Sequence, residues 1–360
     1  MAVDETIGYG IKRKCLRVGK DVKTMKVSII IPNYNGKHFM KDCMESLEEQ
    51  TFRDFEVIVV DNASTDGSVE FMKEDYPSVR LVEMETNTGF SGAVNAGIKK
   101  AKAPYVFLLN NDTECEPDCV EKLYHAIKKS KKIFSVASCM IQLHHRELMD
   151  SAGDVYTMLG WAFNRGNGKP VEDYQCPAKI FTACAGAAIY QKAVFDEIGY
   201  FDEQFFAYRE DIDVGYRARV RGYYNLYCPE AKVYHVGSGT SGSTHNPFKV
   251  RLGVRNNIYL VYKNMPLPFL VWNLPWFFLG YVIKGIYFAK KGFGADYLEG
   301  VKEAFQTLKT VEKQPFHLRD FGNHLVIQLE LYIHTWNIVQ EKIGGRRKKF
   351  NGKKKKENKS

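Results

Sequence analysis

Val57-Ile58-Val59-Val60-Asp61-Asn62-Ala63-Ser64-Thr65-Asp66-Gly67-Ser68 is the stretch that decides the fold. An unbroken run of β-branched apolar residues suits a strand covered on both faces, as in a parallel sheet between helices. The run ends abruptly in Asp, Asn and Ser, which favour turns and helix caps. A helix over Ser68–Tyr76 follows, stopped by Pro77. Asp66 reads as a cap for that helix, whereas Asp61, at the strand end itself, is placed to accept hydrogen bonds from a nucleobase or ribose.

The same grammar repeats on both sides. Upstream, Val27–Ile31 reads as a buried strand ending in Asn33–Asn35, and Phe39, Met40, Cys43, Met44 and Leu47 recur at helical spacing. Downstream come a strand over Val79–Val82, a small-residue helix over Gly92–Ala101 and a strand over Tyr105–Leu109 that runs into Asn110-Asn111-Asp112. Pro117 opens another helix and Phe134–Ile141 reads as a strand. This alternation predicts the α/β class, a Rossmann-like, mostly parallel sheet flanked by helices. Ligands bind beyond the carboxyl ends of such strands, where all three polar clusters fall.

Further on, His144–Ala178 is polar, Gly-rich and weakly patterned, a candidate loop over the site. Ala183–Tyr190 reads as a strand, with a short helix after it ending near Gly199. Asp211–Arg221 reads as a helix with Gly222 at its C-terminal stop, and Tyr223–Tyr227 and Ala231–His235 as two strands. Asp213 and Arg217 share a helix face and read as a structural ion pair. Of the adjacent Glu210 and Asp211, one is expected to enter the site as a base.

Composition narrows the function. The formal charge is +9 over 360 residues, but the stretch from Arg346 to Ser360 holds nine Lys or Arg and one Glu, so the body is nearly neutral. That argues against nucleic acid, which needs a basic stripe on the folded domain. Eight cysteines show no CxxC pair and no zinc spacing, and the polar, basic residues 1–26 contain no apolar leader, so reduced thiols in the cytoplasm are expected. Between Lys263 and Lys284 lie twenty uncharged residues, interrupted by Pro266, Pro268, Asn273 and Pro275 and carrying Trp272 and Trp276. The prolines and tryptophans favour a segment lying in the inner leaflet, or a shallow hairpin, over a full crossing; a buried helix pair is the alternative. The basic tail behind it suits anionic lipid or simple solvation. The expected organisation is a loose lead-in (1–25), a catalytic domain (26–263), a helical membrane-associating region (264–345) and a disordered basic tail (346–360).

Taken in order, these segments resemble the family 2 glycosyltransferases, which have the GT-A fold and invert the anomeric centre. The resemblance rests on Ile31-Pro32-Asn33-Tyr34-Asn35, Asp61–Ser68, Asn87-Thr88-Gly89-Phe90 with Asn95, Leu109-Asn110-Asn111-Asp112-Thr113, Phe201–Phe206 leading into Glu210-Asp211, and His235-Val236-Gly237-Ser238. Within the family the chain looks most like bacterial rhamnosyltransferases and their galactofuranosyl relatives. The resemblance implies that Pro32, Tyr34 and Asp61 line a nucleotide-sugar pocket, with Asn35, Asn62, Asn87, Gly89, Asn95 and Asn111 grouped around it. It implies Asp211 as catalytic base, and Asp112 with His235 as ligands for Mg²⁺ or Mn²⁺. Asn110 and Asn111 stand where many members carry further aspartates. The implied partners are a nucleotide-sugar donor, dTDP-rhamnose first among them, a glycan or lipid-linked acceptor, and the inner membrane surface. A UDP-hexose or UDP-galactofuranose enzyme of the same fold, or a non-catalytic nucleotide-sugar-binding member, are the alternatives.

Overall fold

The buried run that opens the sheet, β1 (Val27–Asn33), lies between two parallel neighbours, β2 (Phe55–Asp61) and β4 (Tyr105–Leu109), and β3 (Arg80–Glu83) extends the sheet beyond β2. The structure, a computed structural model, describes residues 25–237 and 245–357, with side chains up to Glu341. The lead-in over residues 1–24, Ser238 and the tail's side chains lie outside the described residues. All seven residues of β2 are buried, as a strand covered on both faces requires. Helices α1 (Lys37–Glu48), α2 (Ser68–Asp75) and α3 (Gly89–Lys100) make the crossovers. α1 buries the expected stripe of Met40, Cys43, Met44 and Leu47. α3 lies so close to the sheet that a Cβ on Gly97 would stand 2.4 Å from Ile30 Cγ2.

The second half is mixed rather than parallel. Its elements are β5 (Thr113–Cys115), α4 (Cys119–Ile127), β6 (Ile133–Gln142), β7 (His145–Ser151), β8 (Asp154–Tyr156), β9 (Ala162–Asn164), β10 (Ala178–Ile180), β11 (Ala187–Gln191), α5 (Lys192–Ile198), α6 (Glu210–Val220) and β12 (Tyr224–His235). The main sheet runs β10-β12-β6-β11-β4-β1-β2-β3. β11 is inserted antiparallel between β4 and β6, and β12 is parallel to β6. The two strands expected over 223–235 are one, broken in register between Cys228 and Lys232. The stretch read as a loop over 144–178 contains β7, which pairs with β6, and the β8–β9 hairpin.

Among the described residues four α-helices follow: α7 (Pro247–Asn264), α8 (Leu267–Lys290), α9 (Gly294–Thr307) and α10 (Phe321–Glu357). α8 is one continuous helix through Pro275, not a hairpin; Pro268 sits in its first turn, where a missing N–H costs nothing. By length and composition it is apolar enough to cross a membrane. It is not a core helix, since only Asn273, Phe277 and Gly280 are buried. Asn273 exchanges hydrogen bonds with Gln328 of α10 at 2.7 and 2.9 Å. α10 carries the helical backbone into the basic stretch as far as Glu357.

Candidate active site

Register places the polar clusters together. Asn33 is opposite Asp61, and β4 stands in step with β1, so Asn33, Asp61 and Asn110–Asp112 share one sheet edge. Two hydrogen-bond networks stiffen that edge. Asn111 donates to Asn33 (2.7 Å), and Asn33 donates to Asp61 (3.0 Å), whose second oxygen accepts from the Ser64 N–H (2.9 Å). Asn62 donates to Asn87 (2.9 Å) and to the Gly89 carbonyl (3.0 Å) while accepting from the Thr88 N–H (3.0 Å). Asp66 accepts from the N–H groups of Lys37 (2.8 Å) and Ser68 (3.1 Å), the capping role expected of it.

Beyond this edge opens a cavity of about 1420 Å³. Pro32, Tyr34, Asn62, Asn87, Gly89, Asn111, Asp112, Asp211 and His235 all line it. Three residues grouped with them do not. Asp61 lies behind Asn33. Asn35 joins two turns, accepting from the Thr65 N–H at 2.8 Å. Asn95 holds a distant loop, donating to the Phe201 carbonyl (2.8 Å) and accepting from its N–H (3.0 Å).

That loop, Phe201–Arg209, aims α6 at the cavity. It is a strained segment: Phe206, Tyr208 and Arg209 all have positive φ, at 62°, 71° and 78°. Such conformations persist only where the surroundings over-determine them. Here α7 does so, because the two N–H groups of buried Asn256 are shared among the carbonyls of Phe205, Ala207 and Tyr208, each 2.8 Å from Nδ2. The start of α3 presses from the other side, where a Cβ on Gly89 would meet the Phe206 oxygen at 2.4 Å. Further along α6, Asp213 is fully buried and accepts from Arg217 (2.8 and 3.0 Å), Lys263 (3.2 Å) and Asn264 (2.7 Å). The expected Asp213–Arg217 pair is thus part of a larger ionic anchor.

At the cavity wall, Asp112 Oδ1 lies 3.2 Å from His235 Nε2, and His235 Nδ1 lies 2.8 Å from Asp150 Oδ2. Burial alone would lower the His235 pKa, but the hydrogen bonds to Asp112 and Asp150 outweigh it and raise it to about 10. A carboxylate and an imidazole nitrogen face each other, and the second nitrogen is held by a further carboxylate. This is the oxygen-and-nitrogen donor set, with outer support, that divalent metal sites use.

Deeper in, Asp211 accepts from the Ile212 N–H at 2.8 Å, and its carboxylate, that of Asp154 and the Cys184 thiol come within 4.8 Å of one another. Burial, then the charge of Asp211, push Glu210 up to about 8. Burial, then Asp211, also hold Asp154 well above the usual carboxylate range. Burial raises Asp211 as well, against Arg209 and the Ile212 N–H. Both Glu210 and Asp211 line the cavity, whereas one was expected to enter the site.

Sequence reading missed Asp150, Asp154, Cys184, Asn256, Arg209 and Lys284. Asp150 and Asp154 fall in the weakly patterned stretch. Asn256 and Lys284 lie on helices far along the chain, and no local spacing links them to the sheet edge.

Residues 28–199 match the family described as Glycosyl transferase family 2, a stretch that includes Asp61 and Asp112 and stops before Asp211 and His235. An uncharacterized glycosyltransferase of Escherichia coli K12, YibD, is 44% identical over 103 residues, 28% of this chain and 30% of that one. The N-acetylglucosaminyl-diphospho-decaprenol L-rhamnosyltransferase of Mycobacterium tuberculosis is 25% identical over 237 residues, 59% of this chain and 77% of that one. Among solved structures, GalNAc-T7 with UDP, GalNAc and Mn²⁺ superposes with a TM-score of 0.54 at 18% identity, covering 67% of this chain and 48% of that one, a likeness of fold. Residues 28–199 therefore resemble the Glycosyl transferase family 2 model, and the mixed, helix-flanked sheet is of GT-A type.

Proposed function

We propose that the chain transfers a sugar from a nucleotide carrier to a hydroxyl group with inversion, rhamnose from dTDP-rhamnose being the best reading of the donor. One observation carries it: Asp211 shares a single cavity with the Asp112–His235–Asp150 group and with the edge formed by Pro32, Tyr34, Asn62 and Asn87. The nucleotide occupies that edge, against Tyr34, Asn62, Asn87, Gly89 and Asn111. Asp61 and Asn33 set its shape from behind, and Asn95 acts through the loop that carries the base. Asp112 and His235 would hold Mg²⁺ or Mn²⁺, which when bound supplies positive charge for the departing diphosphate. Asp211 takes the proton of the acceptor hydroxyl, which attacks the anomeric carbon as the diphosphate leaves. Glu210, with its raised pKa, keeps its proton near neutral pH and so adds no second negative charge beside the base.

The acceptor is a glycan or lipid-linked sugar, met at the cytoplasmic face of the membrane. What supports docking there is the outer face of α8, where Trp272 and Phe278 are 69% and 72% exposed, together with the basic stretch that follows. The test is a donor screen of dTDP-rhamnose and UDP-hexoses, reading free nucleoside diphosphate with and without Mn²⁺, on wild type and Asp211→Asn. Donor binding is expected to survive in the variant while transfer is abolished. Wild-type turnover by Asp211→Asn, or a product with retained anomeric configuration, would remove Asp211 from its role.

A further inference from the structure

The cavity is larger than the roughly 300–1,000 Å³ typical of a small-molecule site, so it has room for more than the donor. The additional space is walled by α7 and α8; Lys249 of α7 lines it, and so do two further cations, Arg209 and Lys284. Arg209 stands at the start of α6 on a left-handed backbone (φ 78°), and its buried Nε has no hydrogen-bond partner. Lys284 reaches in from α8, where the Trp161 ring, 5.6 Å from Nζ, is its neighbour. Among the described residues neither cation has a carboxylate within ion-pair distance. Burial, then the charge of Arg209, lower Lys284 to about 7, while on its other side Arg209 acts on the carboxyls of Asp211, Glu210 and Asp154. The Arg209 Nε is still left without an acceptor, and a buried cation such as Lys284 is costly unless something negative completes it.

The same wall is continuous with the outside of the molecule. Ile283 and Tyr287 line the cavity, yet they also belong to the exposed apolar face of α8. An anion bound at Arg209 and Lys284 therefore lies beside a surface suited to a hydrocarbon chain.

We propose that Arg209 and Lys284 form an acceptor subsite for the phosphate ester of a lipid-linked sugar, with the chain leaving along α8. The assignment rests on the transferase reading for the word acceptor, but not for the binding itself. Arg is suited to bidentate phosphate contact and Lys to a point-charge contact. Asp211 lies two residues from Arg209, so an acceptor anchored there by its phosphate presents its sugar hydroxyls to the base.

The probe is farnesyl diphosphate, with farnesol and inorganic pyrophosphate as controls, measured by calorimetry in EDTA so that no divalent cation serves the Asp112 group. Wild type binds farnesyl diphosphate more tightly than either control. Arg209→Gln and Lys284→Gln each weaken it about tenfold or more, the loss expected of a charge-assisted hydrogen bond. Lys284→Arg restores it, and Asp112→Asn leaves it unchanged. Retained nucleotide binding in Mn²⁺ by both Gln variants shows that they fold. Wild-type affinity in both Gln variants overturns the subsite. So does a loss in Asp112→Asn as large as theirs, since the diphosphate then sits in the donor site. Pyrophosphate binding as tight as that of the lipid overturns the lipid-linked assignment. A donor screen that finds no transfer while this binding pattern holds sinks the transferase reading and leaves the subsite standing.

Discussion

Asn256 lies in α7, outside the matched family stretch, yet its amide holds the loop that leads into Asp211, the proposed base. Asn256→Asp keeps the size and shape of the side chain and removes its donors. Three carbonyls face that amide at 2.8 Å: Phe205, Ala207 and Tyr208. The Phe205 oxygen keeps a second partner in the Ala207 N–H at 2.7 Å. Two buried carbonyls are then left facing a carboxylate. At ~1–2 kcal/mol for each unsatisfied group, the loop loses ~2–4 kcal/mol of the energy that holds its three positive-φ residues. That corresponds to a fall of roughly 30- to 1,000-fold in the population holding the active loop conformation, where the loop has no stability to spare. The expected outcome is a fall in kcat on the order of 100-fold, because a small displacement of a catalytic group is enough for that loss. Nucleotide affinity should change less than kcat, since Asn62 holds Asn87 and Gly89 from the sheet edge rather than from α7. The assay is release of nucleoside diphosphate under saturating donor, alongside nucleotide binding and thermal denaturation. An Asn256→Asp protein with wild-type kcat would show that the loop holds its shape without α7 and would refute the argument.

Asp150→Asn removes the carboxylate that orients His235 without touching Asp112, so Mn²⁺ affinity should drop about 10- to 100-fold, read by metal titration with nucleotide present; an unchanged titration would detach Asp150 from the metal site. The Asp213 anchor gives a pH dependence. Burial would raise this carboxyl, but Arg217, Lys263 and Asn264 outweigh it and hold its folded pKa below the ordinary value. Its stabilisation is therefore complete above the unfolded pKa of about 3.9 and is lost as pH falls through the lower, folded value. Urea midpoints should fall along that acid limb, and Asp213→Asn should flatten the limb while destabilising the protein by about 3–5 kcal/mol at neutral pH. Trp272→Glu with Phe278→Glu should reduce sedimentation with vesicles containing anionic lipid and leave soluble donor hydrolysis intact; unchanged sedimentation would count against docking through α8.

The first half of the fold is legible because each of its elements announces itself locally. Val57–Val60 is buried on both sides and has no alternation to misread, and the polar residues that follow it mark the carboxyl end of the strand. Asp112 and Asp61 could be placed on a common edge for the same reason: parallel strands in step put their ends together. What failed to show was direction. β11 carries the small, apolar residues of any buried strand, and nothing in Ala187–Gln191 says that it runs against β4. A strand's orientation is set by the path of the chain before it, here the excursion through β7, β8 and β9, whose short strands are too weakly patterned to read.

The site divides along the same physical line. Residues at strand ends, such as Asn62, Asn111 and Asp112, were found because the sheet makes their position predictable. Asp61 was grouped with them from its strand end and Asn95 by resemblance, and the structure gives both supporting places, one behind the edge and one at a loop. Residues contributed by the helical wall have no such rule. Lys284 lies within an apolar helix where a lone cation reads as the end of a membrane segment, and Arg209 is distinguished only by a backbone angle that no sequence displays. The sheet-edge half of this cavity is therefore specified by local sequence, and the half facing α7 and α8 by tertiary packing. That division has a chemical counterpart. On the proposed function, a nucleotide presents the same diphosphate to any such edge, so a fixed local pattern can recognise it, whereas the acceptor is met by the wall that only tertiary packing assembles.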